Sequence, residues 1–81
     1  MSIDQIANII NAAAVQSDDP DVRVGMYRWI SQFKVAAGQV EERIEFAAAA
    51  AISVENYGAQ YRGNLTGVRA AREMANILAT I

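Results

Sequence analysis

From Ile30 onward, apolar and small residues recur at alternating steps of three and four without a slip. The series runs Ile30, Phe33, Ala37, Val40, Ile44, Ala47, Ala51, Val54, Gly58, Tyr61, Leu65, Val68, Arg72, Ala75 and Ala79. Only Arg72 is neither apolar nor small. The opposite face carries Glu41, Glu42, Glu45, Glu55, Asn56, Gln60, Arg62, Asn64, Arg69, Glu73 and Asn76. A period near 3.5 belongs to a helix that makes long, shallow side-by-side contacts. The feature commits most of the chain to an all-α fold.

Upstream, Ser2 and Gln5 have the spacing of a capping box. Ile3, Ile6, Ile10 and Ala13 then mark one face of a first helix over about residues 2–16. No charge occurs from Gln5 to Ser17, so the rest of that helix is also expected to be covered. Ser17-Asp18-Asp19-Pro20-Asp21 is the one clear punctuation. Asp19 suits an N-cap, Pro20 suits the first helical turn, and Asp21 places negative charge at the positive end of the helix dipole.

Two readings of the segment from residue 20 to about 80 compete. One is a single helix of about 60 residues, which would be roughly 90 Å long. The other breaks near residues 58–64, at Gly58 or Gly63, into a helical hairpin or small bundle. Each interior glycine costs about 1 kcal/mol in a helix, which favours a break. The unbroken 3-4 phase, and the lack of proline, Asn-Gly or Asp-Gly there, favour a continuous or gently bent helix. The expectation is one all-helical domain over residues 1–81. It has a short first helix and a long second one with a possible glycine interruption, completed by self-association.

Composition supplies the reason for expecting self-association. Sixteen of the 81 residues are alanine, and there are only six aromatic ones. Such a chain forms helices easily but buries little area per residue. Below about 70–80 residues, a single core rarely supplies more than about 3–5 kcal/mol. Within the repeat, Ala59, Gly63, Gly67, Ala71, Ala75 and Ala79 are spaced by four. On a continuous helix they would form a flat stripe that admits a neighbouring helix to near backbone contact. This stripe is the expected self-association interface. The closing apolar row Met74, Ile77, Leu78 and Ile81 has no C-cap glycine and is expected to be buried against neighbouring copies.

Tyr27, Trp29, Phe33 and Phe46 are expected to close a core with Ile6 and Ile10. In the alternative reading, these aromatics form a hot spot for another protein. The chain has no cysteine and no histidine, which removes thiol and imidazole chemistry, disulfides and the usual soft metal sites. The serines have no base to activate them. Glu41, Glu42 and Glu45 form the one acidic cluster and read as a solvated helix face. No enzymatic activity, cofactor or metal is therefore expected.

The net charge of −2 carries no basic cluster, which speaks against nucleic acid as a partner. The longest uncharged apolar run, Phe46 to Val54, is far short of the ~20 residues of a membrane span. The opening Met1-Ser2-Ile3-Asp4 lacks the positive region of a secretory signal, so a chain soluble when made, without a classical leader, is expected.

Ser17-Asp18-Asp19-Pro20 and Trp29-Ile30-Ser31-Gln32-Phe33 resemble the turn and the following helical segment of type III secretion needle subunits. The likeness is local to residues 17–33. The first helix here is shorter than in that family, and the second segment is longer. The resemblance implies a kind of protein, a small all-helical subunit that polymerises. The expected role is thus a structural subunit of a filament, tube, pilus-like or virion-type assembly, whose partners are copies of itself. A small oligomeric adaptor for another protein is the alternative.

Overall fold

The computed structural model describes residues 2–38 and 46–80, which form four helices. These are α1 (Ile3–Gln16), α2 (Pro20–Gly38), α3 (Phe46–Gln60) and α4 (Leu65–Ala79). At the start of α1, the Ser2 hydroxyl accepts from the Gln5 N–H at 3.1 Å. The Gln5 side chain accepts from the Ser2 N–H at 2.8 Å, completing the capping box. At the start of α2, the Asp19 carboxylate accepts from the Asp21 N–H at 2.9 Å. Its other oxygen pairs with Arg69 of α4 at 3.2 Å. One carboxylate therefore caps one helix and ties another to it.

Of the two readings of residues 20–80, the continuous helix is not present, and a break falls within residues 58–64. Tyr61–Asn64 form a turn, closed by the Asn64 N–H donating to the Tyr61 carbonyl at 2.8 Å. The Asn64 side chain accepts from the Thr66 N–H at 2.9 Å and restarts the helix as α4. An asparagine N-cap does here what proline or Asn-Gly would do elsewhere. The molecule measures 34 × 25 × 20 Å, against the roughly 90 Å of an unbroken helix of that length.

The turn also rotates the 3-4 series out of phase with the core. Leu65 is 61% exposed, and Arg72, Ala75 and Ala79 face solvent. The buried face of α4 is instead Gly67, Ala70 and Met74, flanked by Ile77 and Leu78. The row expected to be covered by neighbouring copies is therefore covered from within the chain over Met74, Ile77 and Leu78. Val40, Ile44 and Ile81, the acidic cluster Glu41, Glu42 and Glu45, and the side chain of Ala47 lie outside the described residues.

The core closes within one chain. Ile6, Ile10 and Ala14 of α1 meet Val22, Met26, Trp29, Phe33 and Ala37 of α2. Ala50, Val54 and Tyr57 of α3 and Ala70 and Met74 of α4 complete it. Its largest member, Trp29, is fully buried and stacks on Phe33 with centroids 4.9 Å apart. Its indole N–H donates to the Ser53 hydroxyl at 3.1 Å, which satisfies the one polar atom it carries inside. Ile6, Ile10, Trp29 and Phe33 thus sit where the sequence placed them. Tyr27 does not, being 40% exposed, and the Phe46 side chain lies outside the described residues.

Helix α4 packs chiefly against α2 and α3. It gets close because Ala70 faces Gly25 of α2 and Ala71 faces Gly58 of α3. A methyl group added at Gly25 would collide with the Ala70 Cβ and stand 3.3 Å from the Thr66 carbonyl oxygen. One added at Gly58 would stand 3.1 Å from the Ala71 Cβ. Two small residues of α4 thus fit between glycines on its two neighbours.

Substitution at two glycines separates packing from chain entropy. Gly25→Ala is expected to destabilise the fold by about 1–3 kcal/mol through overpacking. Gly63 has nothing within 4 Å and no left-handed backbone. Gly63→Ala is therefore expected to stabilise by about 0.4–1 kcal/mol. Urea unfolding followed by circular dichroism distinguishes the two; equal effects would contradict the packing described.

Candidate interaction surfaces

The six small residues expected to form one stripe are divided by the Tyr61–Asn64 turn. Ala59 lies in the last turn of α3 on its exposed side, and Gly63 lies in the turn that follows. Gly67 is buried, and a methyl group there would collide with the Tyr61 side chain, so its smallness serves the fold. Ala71 and Ala75 line a groove between α3 and α4, and Ala79 is exposed at the end of α4. The stripe is therefore not one continuous face.

The groove containing Ala71 and Ala75 has a volume of about 420 Å³. Ala51 and Gly58 of α3 form its other side, with Val54 at the bottom. Glu55 stands on the α3 wall and Arg72 on the α4 wall, both exposed. Neither makes an ion pair among the described residues.

A second surface joins α2 and α3. Val35 is 65% exposed and Ile52 is 59% exposed. Ser31, Gln32 and Ala36 adjoin Val35 on α2. Ala49, Ser53, Asn56 and Gln60 extend the same surface on α3, where Gln32 and Ala36 also line the intervening cleft of about 320 Å³. None of these residues is charged. Isolated exposed aliphatic residues are common, but a face with two of them among uncharged described residues has the make-up of a contact surface. The sequence reading missed this face because Val35 and Ile52 lie far apart in sequence and off the 3-4 series.

Tyr57 is the buried polar residue that sequence reading did not reach. Its side chain is enclosed, and its hydroxyl has no hydrogen-bond partner among the described residues. Burial pushes the phenol above its ordinary value of 10.0, while the positive charge of Arg28 opposes the shift. The Arg28 guanidinium lies 5.6 Å from the centroid of the Tyr61 ring.

No group of three acidic side chains among the described residues is arranged to hold a metal ion. No described helix is long and apolar enough to cross a membrane. Comparison with known protein families, characterised proteins and solved structures finds no match to this chain.

The Tyr57 hydroxyl makes a pH-dependent prediction. Its folded-state pKa is raised, so its contribution to stability is fully present below about pH 10, the unfolded tyrosine value. That contribution is lost as pH rises from there through the folded value, because the unfolded chain releases the proton first. Tyr57→Phe removes an unpaired buried group and is expected to be neutral or stabilising by up to about 1 kcal/mol at pH 7. The variant should also lose stability less steeply than wild type above pH 10, as measured by urea unfolding across the range.

Proposed function

We propose that this chain is a structural subunit that assembles with copies of itself. The observation that carries the reading is the α2–α3 face, uncharged among the described residues that line it, with Val35 and Ile52 exposed upon it. Contact with a like surface would remove apolar area from water without burying a charge among the described lining residues. The amides of Gln32, Asn56 and Gln60 supply neutral hydrogen-bonding groups for its rim. Since the core closes within one chain, assembly would join folded subunits. A like-with-like contact on its own closes at two copies, and a filament or tube follows once a second contact joins such pairs.

Light scattering of the purified chain over a wide concentration range tests this. Mass is expected to grow with concentration. The double variant carrying Val35→Glu and Ile52→Ser should keep its helical spectrum and lose that growth. A wild-type chain that stays at one copy throughout would overturn the reading. Stable mass on its own with binding only to a different protein would favour an adaptor instead.

A further inference from the structure

The α3–α4 groove has a property that the α2–α3 face lacks: its two walls carry opposite charge. Its lining is made of Ala51 and Gly58 on one side and Ala71 and Ala75 on the other. None of these side chains extends beyond a methyl group, so a second backbone could come close. Glu55 rises from the α3 wall and Arg72 from the α4 wall. Each is exposed and without an ion pair among the described residues.

We infer that this groove is a two-fold interface with a second copy of the same chain, in which Glu55 of each copy pairs with Arg72 of the other. The inference rests on the self-assembly reading and adds a second, separate contact to it. The argument is one of self-complementarity. In a two-fold contact the same patch meets itself, so residue i touches j and j touches i. A patch with one anion on one wall and one cation on the other satisfies that rule, and the two pairs form together. A partner of a single charge sign would meet one attractive wall and one repulsive one. Like charges set against each other across an interface cost far more than an exposed pair gains, so the pairing fixes orientation as well as partner.

The inference also bears on how assembly grows. A two-fold groove alone closes at two copies. Together with the α2–α3 face it gives each subunit two different contacts, and the assembly can extend.

The test uses sedimentation of the full chain carrying Val35→Glu and Ile52→Ser, in which only the groove is left to associate. This chain is expected to form a dimer at low salt. Adding Glu55→Arg or Arg72→Glu should raise the dissociation constant by about tenfold or more, because each change creates two like-charge contacts. An equimolar mixture of the Glu55→Arg and Arg72→Glu chains should recover dimers, since each then offers the charges the other needs. Melting of each chain at the lowest usable concentration confirms that both remain folded.

Recovery in the mixture supports the interface, because a pair formed within one chain cannot be restored by mixing. Failure to recover overturns it, as does a background chain that remains a monomer. If wild type still assembles in either case, the self-assembly reading stands without the groove. If wild type never assembles, both fall.

Discussion

The close approach of α4 to its two neighbours is the constraint on which the other packing depends. Ala70 against Gly25 and Ala71 against Gly58 let α4 lie between α2 and α3 with almost no side chain in the way. That depth brings Met74 into the core and encloses Tyr57. It also brings Arg69 to Asp19, so the charge that opens α2 is shared with α4. Alanine is usually a poor core residue because it buries little area. Here its smallness lets the larger Trp29, Phe33, Met26 and Met74 reach one another, and dispersion among close-packed atoms replaces bulk.

Much of the local structure was legible in the sequence. The capping box at Ser2 and Gln5 and the Asp19-Pro20 helix start depend on side chains bonding to backbone a few residues away, so spacing alone reveals them. Ile6, Ile10, Trp29 and Phe33 were legible because a large apolar residue on a periodic face has few other places to go. The break between α3 and α4 was one of two readings that the sequence left open, and the unbroken series argued against it. Alanine and glycine satisfy the 3-4 pattern whether they face a core or solvent, so the series ran through a turn that Asn64 in fact closes. Gly25, Tyr57 and the Val35–Ile52 face were out of reach for a different reason. Each acquires meaning only from a helix distant in sequence.

The stripe of small residues illustrates both outcomes. Read along the chain, it was one surface for one purpose. In the fold, Gly67 is consumed by contact with Tyr61, while Ala71 and Ala75 are left to line a groove. The exposed chemistry divides in the same way along α3. Its side toward α2 carries Ile52 among uncharged polar and small residues, and its side toward α4 is small and carries Glu55, with Arg72 on the α4 wall opposite. A subunit with two unlike contact faces can propagate, whereas one with a single self-matching face cannot.

Trp29 is the only tryptophan in the chain, and it lies in the core, stacked on Phe33 and bonded to Ser53 of α3. The protein therefore carries its own optical label for the docking of α2 with α3. Its indole is fully buried, while the walls of the groove and the aliphatic residues of the α2–α3 face are exposed. Its emission should follow whether a subunit is folded. Loss of that signal would therefore report the parting of α2 from α3 without any dye or added label.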